Sequence, residues 1–196
     1  MTIREPQWSR RIHLAVIGWL ITELAIGVFL RDATHLENKG MVLRAVFYPV
    51  CAIVVPIGWR LRGSREPFPH LAGALLVTPF ALDIGANLIG LFEVDNFDDV
   101  LHALNWFLLV LGASTLVLRS RTPLLTVVAL GIGTGATTIV LWEIVEYLVS
   151  RSGTTGLQLT YDDTITDLAE SFAGGCVGAV VAGQRRWSGL IRSGDV

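Results

Sequence analysis

The chain predicts an all-α fold, a polytopic bundle of about six transmembrane helices with both termini cytoplasmic. Three observations predict it. Apolar residues make up 52% of the 196 residues and charged residues only 16%, where soluble domains carry roughly a quarter charged. The apolar residues fall in long blocks, and roughly 20 of them are needed to cross a bilayer as a helix. The basic residues gather in alternate connections, as short cytoplasmic loops require.

Taken in order, the spans cover about 12–30, 41–61, 68–92, 98–118, 122–149 and 163–183, which leaves residues 1–196 as one transmembrane domain. The first ends at Arg31-Asp32 with no small-residue cleavage motif, so it reads as a retained span and not a leader. The second holds Pro49 and Pro56 and the third Pro79; prolines are tolerated in spans where neighbours resatisfy the backbone. Gly131-x-x-x-Gly135 and Gly174-x-x-x-Gly178 in spans five and six are small-residue contacts for close helix approach. Cys51 and Cys176 fall mid-span and read as small packing residues.

Orientation follows from the basic residues. Arg4, Arg10 and Arg11 precede span one, and Arg60, Arg62 and Arg65 separate spans two and three. Arg119 and Arg121 separate spans four and five, and Arg185, Arg186 and Arg192 follow span six. The opposite side holds Arg31, Lys39, Arg44 and Arg151. Trp8, Trp59 and Trp187 flank the cytoplasmic ends as an interfacial belt would.

Within this frame lie nine acids and one histidine: Glu23, Asp83, Asp98, Asp99, His102, Glu143, Glu146, Asp163, Asp167 and Glu170. All sit toward the outer ends of their spans. Charges in lipid cost at least a few kcal/mol and mark function. Only Arg44 and Arg151, both at the rim, are near enough to offset them, so the acids read as unpaired. They must be protonated, wetted or gathered around cations.

Asp98 and His102 stand at i and i+4, Glu143 and Glu146 at i and i+3, and Asp163 and Asp167 at i and i+4 with Glu170 a turn further. Facing helices that project such pairs build carboxylate metal sites in bundles. Oxygens with one imidazole suit Mg²⁺, Mn²⁺, Fe²⁺ or Zn²⁺. The expected ligands are Asp98, His102, Glu143, Glu146, Asp163 and Asp167, with Glu143 and Glu146 also the candidate catalytic bases. Glu23, Asp83, Asn87 and Glu170 form a secondary polar set. Plainer roles compete: Asp98, Asp99, Asp162 and Asp163 stand where acids cap helices, His102 alone reads as a hydrogen-bonded packing residue, and Glu23 as a lone acid at a helix contact.

Phe97-Asp98-x-x-x-His102, Trp142-Glu143-x-x-Glu146-Tyr147 and Asp163-Thr164-x-x-Asp167 before Gly174-Gly175 resemble the YjdF-like family of bacterial inner-membrane proteins. Asp83-x-x-x-Asn87-x-x-Gly90 is also similar, so the resemblance runs over roughly residues 80–180. It implies a multi-span fold with a shared polar site and names no reaction. The Asp-x-x-x-His element is similar, over a shorter stretch, to VanZ-like proteins.

Three functions fit these residues. The first is a metal-dependent hydrolase or transferase acting on lipid-linked phosphate in the outer leaflet. The second is a cation or proton-coupled transporter, and the third a non-catalytic membrane assembly protein. Membrane lipids are the expected partners. No nucleic-acid or nucleotide motif is present, and the sequence leaves oligomeric state open.

Overall fold

The computed structural model describes residues 6–61, 63, 67–117, 123–154 and 159–193, and side chains for all of these but 117 and 185–193. Arg4, Arg62, Arg65, Arg119 and Arg121, and the side chains of Arg185, Arg186, Trp187 and Arg192, lie outside the described residues. The chain runs through α1 (Gln7–Phe29), α2 (Met41–Leu61), α3 (His70–Leu88), α4 (Phe97–Val117), α5 (Leu124–Arg151) and α6 (Tyr161–Ser193). A single 3-10 turn, Leu91–Glu93, joins α3 to α4. All six helices are long and apolar enough to cross a membrane, and the described residues contain no strand. This is a multi-pass membrane protein.

Local chemistry explains the helix ends. Pro6, Pro69 and Pro123 immediately precede α1, α3 and α5, where a fixed φ favours helix entry and no N–H is missed. The third helix stops at Leu88, short of the expected 92, because Gly90 takes a left-handed conformation with φ 71°. Asn38 and Gly40 adopt φ 59° and 67° in the turn before α2. That turn is tied down where His35 Nε2 meets the Leu88 carbonyl at 3.1 Å and where Leu36 inserts, 1% exposed.

The helices form two trios, α1–α3 and α4–α6, joined where α3 packs on α4. In each trio the first and third helices make the most extensive contact. Lipid tails are as apolar as leucine, so close packing and polar contacts must hold such helices together. Gly174 and Gly178 supply the closest approach: a Cβ at Gly174 would overlap the Ala103 carbonyl oxygen, and one at Gly178 would lie 2.6 Å from that of Phe107. Gly131 likewise faces Ala179, with 2.8 Å between the two Cβ positions. Helix α3 is the most enclosed span and α2 the most peripheral. Val46, Phe47, Val54, Leu125 and Val140 stay exposed, which is the outward face a bilayer would cover. Pro49, Pro56 and Pro79 sit inside continuous helices.

Candidate functional site

One end of the bundle gathers the polar groups. It is formed by the starts of α2, α4 and α6 and the ends of α3 and α5, and it encloses a cavity of about 110 Å³. That volume holds a few waters or a small polar group.

The α4–α6 side is built on His102. Its Nδ1 meets Ser171 Oγ at 3.1 Å, and Ser171 is fully buried. This turns Nε2 toward two carboxylates, 3.6 Å from Asp98 Oδ1 and 3.7 Å from Asp167 Oδ1. Asp98, His102 and Asp167 can each offer a ligand atom, all within 4.8 Å of one another. The glycine contacts bring this about, because Gly174 and Gly178 lie along α6 just after Asp167 and Ser171 and draw that helix onto α4. Asp163 also lines the cavity. The Thr160 hydroxyl accepts its backbone N–H at 3.1 Å, so Thr160 caps α6 and the Asp163 carboxylate is not the cap.

The α2–α3 side overturns one sequence expectation. Arg44 does not stay at the rim; its guanidinium is ion-paired with Asp83 Oδ2, and the two side chains are 14% and 18% exposed. The Tyr48 hydroxyl donates to the same oxygen at 2.8 Å, and Arg44 Nη1 donates to Tyr48 Oη at 3.0 Å. Asn87 Nδ2 donates to the Asp83 carbonyl at 2.8 Å. Asp83 is therefore paired, and the picture of uniformly unpaired acids fails there. A helix start inside the polar end lets the long arginine reach across to α3 while its Nε bonds the Lys39 carbonyl at 2.9 Å.

Lys39 stands at the mouth, its ammonium 5.4 Å from the centre of the Phe92 ring. Burial there pushes the ammonium below its usual pKa, and Arg44 adds to the effect; Asp98, Asp83 and Glu93 oppose it. Asn105, Trp106 and Trp142 complete the lining, and the Asn105 Oδ1 is buried with no hydrogen-bond partner.

Thus Asp83, Asn87, Asp98, His102, Glu146, Asp163 and Asp167 share one cavity. Glu143, Glu23 and Glu170 do not. Glu143 is buried at 8% exposure with neither carboxylate oxygen hydrogen-bonded, outside the cavity and outside the Asp98–His102–Asp167 group. Glu23 packs against α3, where a Cβ at Gly85 would come within 2.6 Å of Glu23 Oε1. Glu170, a turn beyond Asp167 on α6, is exposed. Lys39, Arg44, Tyr48, Asn105, Trp106 and Trp142 were not anticipated. The Arg44-x-x-x-Tyr48 spacing inside a span was the available signal, since it puts both side chains on one helix face.

The family described as predicted membrane protein, DUF2238, matches residues 12–187. The chain belongs to it. The match takes in nearly the whole of the six-helix bundle, and every residue lining the cavity falls within it. No curated protein and no solved structure matches it.

Proposed function

We propose that this DUF2238 protein is a membrane-embedded, divalent-metal-dependent hydrolase or transferase acting on lipid-linked phosphate. The observation that carries the reading is the convergence of Asp98, His102 and Asp167 from two helices, with Nε2 at 3.6 and 3.7 Å from the two carboxylates. Ligands ~2.1 Å from a tetrahedral ion stand ~3.4 Å apart, close to both His102–carboxylate distances. Engagement of Nδ1 by Ser171 is the outer-shell contact that orients a metal-binding imidazole. Three protein ligands leave a position open for water or substrate.

A bound ion would polarise a phosphoryl oxygen and acidify a water. Glu146 and Asp163 line the same cavity outside the three-ligand group, and either would serve as the base for that water's proton. Arg44 and Lys39 line the cavity as well and supply the positive charge a phosphate needs. The sequence bias of Arg toward alternate connections supports an outer-leaflet position for this end of the bundle, with both termini cytoplasmic. Of the motif residues behind the narrower YjdF-like assignment, Asp83, Asn87, Asp98, His102, Trp142, Glu146, Asp163 and Asp167 line the cavity, whereas Glu143 and Tyr147 do not.

The test is elemental analysis of detergent-purified protein supplied with Mg²⁺, Mn²⁺, Fe²⁺ and Zn²⁺, wild type beside Asp167→Asn, followed by phosphate release from a long-chain monophosphate. Near-stoichiometric metal, lost in the variant together with turnover, supports the reading. Absence of metal from the wild type under every supply would falsify it.

A further inference from the structure

Helices α2 and α5 both reach the cavity, yet among the described residues they nowhere approach within 8 Å between Cα atoms. The gap holds an apolar groove of about 540 Å³, and a second of about 430 Å³ runs beside it between α4 and α5, reaching α2 at Cys51; each is within the ~300–1,000 Å³ typical of small-molecule sites. Phe80 and Trp142 wall both grooves and the polar cavity, so the three spaces adjoin one another. Cys51 on α2 and Val145 on α5 face each other across both grooves. The larger groove begins at Lys39, Arg44 and Glu146. The smaller one continues down α5 from Val145 to Leu130, about 22 Å at helical rise.

We infer that the α2–α5 cleft is the lateral entrance and chain-binding groove for a phosphate-headed lipid, its phosphate held by Arg44 and Lys39 and its hydrocarbon chain lying along Trp142 and Val145. The inference rests on the phosphate-lipid reading above and adds the route and the binding mode. Charge complementarity selects the occupant. The two cations stand where the apolar grooves open into the polar cavity, so an anionic head and an apolar tail find their partners in one pose. A neutral lipid would fill the grooves but bring no anion to Lys39 and Arg44 at their mouth. A soluble phosphate would leave the grooves unfilled. Entry from the side also suits a cavity whose substrate never leaves the bilayer.

The experiment is native mass spectrometry of protein released from maltoside micelles. The micelles carry hexadecyl phosphate, or hexadecanol at the same mole fraction, or inorganic phosphate. We expect one retained hexadecyl phosphate, at least tenfold preferred over hexadecanol, and no retained inorganic phosphate. Val145→Trp, which fills both grooves, should reduce retention at least tenfold, and Lys39→Gln severalfold. Cys51→Phe narrows the same cleft from α2 and serves if Val145→Trp fails to fold, as judged by its melting profile. Retention equal for phosphate and alcohol, or unchanged in folded groove-filled variants, overturns the inference. Repeating the measurement on chelator-treated protein and on Asp98→Asn separates it from the metal reading. Hexadecyl phosphate held without metal keeps the groove while the metal proposal stands or falls on elemental analysis. Metal bound with no phosphate-lipid preference sinks the groove alone.

Discussion

Arg44, in the first turn of α2, is ion-paired with Asp83 near the end of α3, and the Tyr48 hydroxyl shares the same carboxylate oxygen. The pair joins the most peripheral helix to the most enclosed one and sets a fixed cation at the edge of a carboxylate-lined cavity.

Breaking that pair from one side leaves a buried charge alone. Arg44→Gln should cost about 3–5 kcal/mol, while Arg44→Gln with Asp83→Asn should recover more than half of the loss. Unfolding in mixed micelles with rising dodecyl sulfate measures both. Equal destabilisation in the single and double variants would show that the two residues do not act as a pair.

Gly174 sets the distance between α4 and α6. Alanine there would drive a methyl group into the Ala103 carbonyl, and backbone cannot yield as a flexible side chain can. Gly174→Ala should therefore cost about 1–3 kcal/mol or more and separate His102 from Asp167, lowering metal content with every ligand residue intact. Cys176→Ala, a nearby change on α6, is the control. Full metal retention in Gly174→Ala would detach site geometry from this contact.

Glu143 and Asp167 should behave oppositely. Both are buried, but only Asp167 faces His102. Asp167→Asn should abolish metal binding. Glu143→Gln should retain it and leave stability unchanged or raised by about 1–3 kcal/mol, because a buried carboxylate without hydrogen bonds is costly in its charged form. Metal loss in Glu143→Gln would return Glu143 to the ligand set.

Lys39 is the chain's single lysine among 15 basic residues, so its titration can be followed by carbon NMR after reductive methylation. Burial holds its pKa below the usual lysine value, which is about 10.4. The folded state thus binds this proton more weakly than the unfolded chain, and Lys39 costs stability at neutral pH; that cost fades as pH rises through the two values. Its charge, and with it phosphate-lipid retention, should be lost at lower pH than for a free lysine. Asp98→Asn removes an opposing charge and should lower the value further. A midpoint at or above the ordinary one would contradict burial at the cavity mouth.

Much of the site could be read along the chain because spacing on a helix is local geometry. The i, i+4 pairs Asp98/His102 and Asp163/Asp167 had to share faces, and alternating spans had to bring them to one end. Glu146 joined them in the cavity, while Glu143, three residues earlier, turned elsewhere. Their spacing puts them near one another but does not say which neighbour each will face. Arg44 misled for a different reason. Its place near a span end suggests a rim residue, and only the position of Asp83 on α3 shows where so long a side chain can reach.

The sequence by itself determined the six-helix membrane architecture and the gathering of acids at one end, since hydropathy, span length and helical period are properties of contiguous residues. Tertiary structure alone decided which acids meet His102, which one Arg44 neutralises, and that α2 and α5 stand apart. Those outcomes depend on distances between helices, and the distances are set by glycine-to-carbonyl contacts and buried polar pairs between residues far apart in the chain.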